Sequence, residues 1–338
     1  MKMKSIMCAS ALAVAAMTLS AAETVDLVSA KATKATAWVT FESPGEGTLS
    51  ASAELADGFT PRLQVVVKEL RDPNAFFTDL PGIGDKVPVG VGLADGAKGV
   101  AAKKGESVTV RVVVPVDAQA TSGVHRGTLT VTAGGAKLTR ELNLRVLDYT
   151  LPPVKSRYSG RPWVVHDEGP LPADWTVETP ETYAKDSASV SSVVGSLWKT
   201  KDDLQPERWR TLGVPYYALL DIPYVVNPDA WRRAAGTKAW QLGFDGVALP
   251  PAAKLDPVVR AGLEDAAIDV AYLSYASELA NGLADKRRHP VKITYEGRLG
   301  QFWVDRVNVA ADDMDVVRLE TQARIVRLLA FVKKEVSK

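Results

Sequence analysis

The alternation of apolar and polar residues in segment 107–153 limits the fold of this chain more than any other feature. Every second residue from Val108 to Val114 is a valine, and an apolar phase runs from Leu138 to Val146, broken only at Arg140. A period of two with one apolar face is typical of antiparallel strands that cover a core. Gly134-Gly135 precedes the second of these runs and suits a tight hairpin turn, because glycine tolerates a positive φ. The segment therefore predicts an antiparallel sheet.

Shorter alternating runs fill segment 35–93, and turn signals such as Ser43-Pro44-Gly45 and Asp57-Gly58 separate them. Short strands at regular spacing predict a sandwich of about seven strands. Pro152-Pro153 then stops ladder pairing and begins a linker. We therefore place an all-β sandwich domain at residues 23–152.

The hydrophobic period changes after this linker, and strands begin to alternate with helices. Helices are expected to open at three N-cap signals that end in proline, Thr179-Pro180, Asn227-Pro228 and Asp256-Pro257, and a brief helix is expected to open at Pro206. Strands are expected at 162–166, 193–198, 214–220 and 244–249. Strands that alternate with helices predict a parallel sheet with right-handed crossovers.

A complete (β/α)₈ barrel needs about 250 residues, whereas about 125 lie between Lys155 and Ala280. The second domain, 153–338, is therefore expected to be a reduced, incomplete barrel-like α/β domain. Its tail is expected to hold a hairpin at 291–304, turning around Gly297 and Gly300, and a terminal helix that starts at Asp312-Asp313.

The first 22 residues have the composition of an export signal. Lys2 and Lys4 give a positive start, Ile6–Leu19 an apolar core, and Ser20-Ala21-Ala22 a small-residue cleavage site. We therefore expect a signal peptide at 1–22, cleavage near Ala22, and a periplasmic, cell-surface or extracellular protein. No later apolar run approaches the roughly 20 residues of a membrane span.

Charge and cysteine content exclude several function classes. The net charge of +1 argues against a nucleic-acid surface, which usually needs a clustered basic excess. Cys8 is the only cysteine and lies inside the expected signal peptide. The exported protein would therefore have no disulfide, no thiol nucleophile and no cysteine-ligated zinc. We expect no cofactor and no metal, since His125, His166 and His289 are far apart in sequence.

Several short motifs, in a fixed order, carry a family resemblance. The first group is Pro115-Val116-Asp117-Ala118, Gly123–Thr128 and Val146–Pro152, and the second is Gly243–Gly246 and Arg260–Asp265. The first group resembles the N-terminal sandwich of glycoside hydrolase family 123 and of related uncharacterised bacterial secreted proteins. The second resembles that family's last barrel strand and the helix after it. The resemblance implies a glycan or glycoconjugate as partner.

The resemblance also implies a catalytic Asp-Glu pair at the carboxyl end of a barrel strand. Asp167-Glu168 follows the expected strand 162–166. In such enzymes Glu168 would protonate the leaving oxygen while Asp167 orients the substrate's own acetamido group as nucleophile. In the family several strands precede the pair, whereas here the linker does. The alternative interpretation is a polar turn, which Gly169-Pro170 favours.

Aromatic and acidic residues near the ends of the expected strands are candidate sugar-binding groups, because sugar rings stack on aromatic faces. The candidates are Trp163, Trp198, Tyr216, Tyr217, Asp221 and Tyr224. The alternative is that the aromatic side chains fill the core between the sheet and its helices. The sequence therefore leaves two hypotheses open: a family 123-like glycosidase with a minimal site, or a degenerate, non-catalytic relative that binds glycan or acts as a surface or assembly module.

Overall fold

The computed structural model describes residues 24–71, 87–166, 175–176, 192–196, 208, 211–220, 231–248, 257–285, 288–307 and 313–336. The first nine strands are β1 Thr24–Lys31, β2 Thr33–Glu42, β3 Gly47–Leu55, β4 Arg62–Arg71, β5 Val87–Asp95, β6 Val100–Ala102, β7 Ser107–Val116, β8 Gly123–Ala133 and β9 Ala136–Thr150. They form two sheets, with strand orders β1-β9-β8-β3-β6 and β2-β7-β4-β5. All neighbours in these sheets are antiparallel except β1 and β9, which are parallel.

The two sheets cover a common hydrophobic core, to which the alternating residues contribute. Val110, Val112 and Val114 of β7 and Leu142 and Leu144 of β9 are all fully buried in it. The predicted antiparallel pairing of the 107–153 segment is therefore confirmed. The alternate residues of β7 do not form the solvent-exposed face that the sequence predicts.

On β7, Arg111 and Val113 are buried although they belong to the phase expected to face solvent. Arg111 donates hydrogen bonds to Asp265 and to the carbonyl of Ala261, both on a helix far along the chain. A helix therefore lies on the outer face of this sheet, which the alternation alone could not predict.

The remaining strands are β10 Val164–His166, β11 Trp175–Thr176, β12 Ser192–Ser196, β13 Tyr216–Leu219 and β14 Gly246–Ala248. They form one curled, parallel sheet in the order β10-β14-β13-β12-β11, which has the form of a half-barrel. The predicted parallel sheet is confirmed. Its first strand, β10, pairs with its last, β14, as the first and last strands do where a complete barrel closes.

Four α-helices are described: α1 Ala239–Leu242, which continues a π-helical segment Arg233–Lys238, then α2 Pro257–Leu283, α3 Val291–Arg306 and α4 Met314–Val336. The expected C-terminal helix is confirmed as α4. None of the helices in the described ranges is long and apolar enough to cross a membrane.

The prediction of a hairpin at 291–304 is wrong, because α3 occupies this segment. Its buried residues Ile293, Gly297, Gly300 and Val304 recur at helical spacing. The two glycines allow a close helix crossing instead of a turn. A Cβ on Gly297 would lie 2.5 Å from the backbone nitrogen of Ala284, at the end of α2.

Candidate functional site

The half-barrel has a helix-facing side and an inner side. Tyr216, Ala218 and Leu220 pack with Trp231 and Leu263 in the core under the helices. Successive strand residues point to opposite faces, so Tyr217 and Leu219 lie on the inner face. By the same alternation in β10, Val165 packs toward the helices and His166 faces inward.

His166 and Tyr217 meet on this inner face. Their ring centroids are 4.8 Å apart and the planes cross at 79°, an edge-to-face contact. The two rings belong to β10 and β13, which are separated by β14. On β14, Gly246 pairs with Tyr217 and Ala248 pairs with His166, so the ring contact spans the intervening strand over two small residues.

The phenol of Tyr217 stays protonated over a wide pH range. Burial raises its pKa, the carboxylate of Asp245 raises it further, and Arg161 opposes the shift. A neutral phenol is both a hydrogen-bond donor and an acceptor, and imidazole offers the same pair of functions. The described part of the inner face therefore carries side chains whose chemistry suits hydroxyl groups, and the Tyr217 side chain is 9% exposed there.

Asp245 lies at the amino end of β14, close to Tyr217, and has a structural role. Its carboxylate accepts hydrogen bonds from the backbone nitrogen of Tyr216, at 3.0 Å, and from the hydroxyl of Ser159 in the linker. Arg161 lies 3.6 Å from the same carboxylate. Since Asp245 precedes β14, this cluster joins the linker to the amino ends of the strands, opposite the edge where barrel enzymes place their sites.

The predicted site residues divide into three groups. Asp167, Glu168, Trp198, Asp221 and Tyr224 lie outside the described residues, so their roles stay predictions. Tyr216 packs against Phe244 in the helix-facing core, with ring centroids 4.7 Å apart. Trp163 also packs against cores on the helix side. Of the candidates, the structure places Tyr217 on the inner face, beside His166.

A pocket of about 360 Å³ between loops of the first two sheets was not expected from the sequence. Its wall includes His125, which is 2.6 Å from the carboxylate of Asp57 through Nδ1 and 2.9 Å from the carbonyl of Thr121 through Nε2. Both ring nitrogens of His125 are thus engaged, so the side chain ties two loops to β8. The sequence signal was the motif 123–128, which contains His125.

A second unexpected feature is a buried charge network, defined as Arg111, Arg232, Asp265, Asp269 and Arg318. It connects β7, α2, α4 and Arg232, the residue just before the π-helical segment, and each of its side chains is at most 6% exposed. The sequence signal was the acidic residues at Asp265 and Asp269 on the apolar face of a long helix.

Within the described ranges, no group of three or more acidic, histidine or cysteine side chains is placed to hold a metal ion.

No protein-family model matches the chain, and no curated protein matches it. A solved family 123 glycoside hydrolase from Clostridium perfringens, studied for glycolipid glycan hydrolysis, aligns over 93% of this chain and 95% of that one. The sequence identity is 8% and the TM-score is 0.55. The N-terminal domain of PorA and a cohesin from Pseudobacteroides cellulosolvens each align over 38% of this chain, at 14% identity and TM-score 0.18. The predicted resemblance to family 123 is thus confirmed for the fold.

Proposed function

We propose that this protein binds a glycan on the inner face of its half-barrel and does not hydrolyse it. The observation that carries the proposal is the strand order of the parallel sheet. The first strand, β10, lies beside the last, β14, yet the described sheet has five strands in place of the eight that close a barrel.

An incomplete barrel favours binding over catalysis for a physical reason. Hydrolysis needs a general acid, a nucleophile and the scissile bond held in fixed geometry, with water excluded. In complete barrels eight βα-loops surround the substrate. The five described strands by themselves leave one side of a sugar uncovered, so they can present a binding surface more readily than an enclosed site.

The binding groups we propose are Tyr217 and His166, together with Trp198, Asp221 and Tyr224. Tyr217 and His166 contact each other on the inner face, and both carry hydrogen-bonding atoms that suit hydroxyl groups. Trp198, Asp221 and Tyr224 follow β12 or β13 in the chain, and the segments after parallel strands build sites at the carboxyl edge of barrel enzymes.

Hydrolysis is the second candidate function, because Asp167-Glu168 directly follows His166 in the chain. In this alternative Glu168 protonates the glycosidic oxygen of an N-acetylhexosaminide and Asp167 orients the acetamido nucleophile. The position of β10 weighs against it. As the neighbour of the last strand, β10 takes the place of a first strand, whereas several strands precede the catalytic pair in the family that the chain resembles.

The two functions are separated by an activity assay and a binding assay. We expect no turnover of aryl N-acetylhexosaminides by the wild-type protein, and measurable binding on a glycan array. Tyr217→Ala should weaken binding to any glycan so identified about tenfold or more, because it removes a central ring contact. Tyr295→Ala, which removes an exposed tyrosine on α3, is the matched control and should bind like the wild type.

Wild-type turnover that is lost in Glu168→Gln and in Asp167→Asn would establish the hydrolase alternative. Equal glycan binding by the wild type and Tyr217→Ala would move the site away from the inner face.

We also propose that the protein is exported and that its mature part divides into a β-sandwich, 23–152, and the half-barrel unit, 153–338. The composition of residues 1–22 supports export. We expect the intact mass of the exported protein to correspond to a chain that begins near Glu23. An exported protein that still carries Met1 would contradict cleavage.

A further inference from the structure

The C-terminal helix α4 has an apolar row on its exposed side, here called the α4 stripe. The stripe consists of Val316, Leu319, Ala323, Val326 and Ala330, all exposed. The valines and the leucine are close to half exposed, at 46–48%. Single exposed apolar residues are ordinary on protein surfaces, but a continuous row over four turns of one helix is not.

The stripe is distinct from the face by which α4 packs on its own chain. Met314, Val317, Ile325 and Leu328 are buried in cores shared with α2 and α3. The stripe residues are absent from these cores. Their spacing alternates between three and four residues, which is the seam spacing of one helix against another. The stripe is about 21 Å long at 1.5 Å per residue, and its spacing suits packing against another helix.

We infer that the stripe pairs with the α4 stripe of a second copy of this chain, in antiparallel orientation, with a twofold axis at Ala323. The charges at its ends support this occupant. Asp313 and Lys333 are exposed and lie ten residues on either side of Ala323. Antiparallel pairing sets Asp313 of each copy against Lys333 of the other, whereas parallel pairing would set like charges together.

The inner positions are self-complementary in size and charge. About this axis Val316 faces Ala330, and Leu319 lies near Val326, so large residues meet small or medium ones. Ala323 faces its own copy, and its small side chain allows close approach of the two helices. Glu320 comes opposite Arg327, which also pairs with Glu296 of its own chain. An interface of this kind, with the same patch on both copies, is the usual form of a twofold dimer.

The contact is small, because it uses one face of one helix. Stable interfaces bury about 1,200–2,000 Å² in total, and smaller ones belong to weak or transient complexes. We therefore expect a dimer that dissociates on dilution, with a Kd in the micromolar range or above.

The first test is sedimentation velocity of the full chain over a wide concentration range. The wild type should shift from monomer to dimer as concentration rises, and Leu319→Glu combined with Val326→Glu should stay monomeric. The control is Val124→Glu, which places the same charge at a 52% exposed valine on β8 and should dimerise like the wild type. Circular dichroism melting checks that each variant is folded. A wild type that stays monomeric throughout, or a dimer that the α4 substitutions leave intact, overturns the inference.

The second test reads orientation by cysteine cross-linking in a background without native cysteine, which is the exported chain from about Glu23 onward or the full chain with Cys8→Ser. Ala323→Cys should form a disulfide-linked dimer, because residue 323 meets itself at the axis. Ala330→Cys should not, because residue 330 faces Val316. Equal cross-linking at both positions would indicate parallel pairing and would overturn the antiparallel arrangement.

Discussion

Replacing Asp265 with alanine is expected to destabilise the protein by about 3–5 kcal/mol, the usual cost of removing one partner from a buried ion pair. The Asp265 carboxylate is fully buried. It accepts hydrogen bonds from Arg111 at 2.8 Å and from the indole of Trp38 at 2.9 Å. Without it, the guanidinium of Arg111 stays buried with half-exposed Glu264, 3.2 Å away, as its remaining carboxylate partner. Urea unfolding followed by circular dichroism measures the loss.

The stability that Asp265 contributes is expected to fall as the pH is lowered. Burial by itself raises the pKa of Asp265, but Arg111, Arg318 and Arg232 outweigh it and hold the pKa below its ordinary value. The ionised carboxylate therefore stabilises the fold fully above the unfolded pKa of about 4, and this stability is lost as the pH falls through the lower folded value. Asp265→Asn should remove most of this acid dependence.

The control for Asp265 is Asp285→Ala, which removes a carboxylate from an exposed pair with Arg288. Exposed pairs contribute roughly 0.2–1 kcal/mol, so this variant should unfold close to the wild type. Equal stability of Asp265→Ala and the wild type would show that the network does not hold α2 against β7.

Replacing Gly246 with alanine is expected to cost about 3 kcal/mol, near the upper end of overpacking. A Cβ at this position would lie 2.0 Å from the carbonyl oxygen of Val164, the residue paired with Gly246 on β10. That atom belongs to the backbone, so relief requires β10 to move away from β14. Because His166 lies on β10, the variant should also weaken any glycan binding on the inner face.

The same substitution at Gly282 should have the opposite effect on the free energy of unfolding. Gly282 is exposed near the end of α2, and a Cβ there would meet no atom within 4 Å. Alanine is favoured over glycine in helices by about 1 kcal/mol, so Gly282→Ala should stabilise the protein. Chemical unfolding of the two variants compares them directly. A Gly246→Ala protein as stable as the wild type would contradict the close pairing of β10 and β14.

Several motif residues behind the family resemblance hold the fold together. Gly246 allows two strands to approach, and Asp265 anchors a helix to a sheet. Gly127 has a similar role, because a Cβ there would lie 1.8 Å from the carbonyl oxygen of Glu54 on β3. His125 bonds two loops through its ring nitrogens. Motifs of this kind indicate a shared architecture. This agrees with the resemblance to family 123, which is confirmed for the fold.

The sequence alone determined those features that depend on neighbouring residues. The alternation in 107–153 predicted the antiparallel strands, because one buried face imposes a period of two on any strand. The change of period after Pro153 predicted a parallel sheet, since strands joined by helices run the same way. The arithmetic of chain length predicted that the barrel is incomplete. The hairpin predicted at 291–304 was wrong, because glycines that suit a turn also suit a close helix crossing.

Only the tertiary structure decided which remote segments meet. Arg111 looked like a solvated residue until α2 was found to cover its sheet. His166 and Tyr217, 51 positions apart in the sequence, meet because β10 and β13 both pair with β14. A local pattern specifies that a face is buried, but the residue that buries it is chosen by the packing of the whole chain.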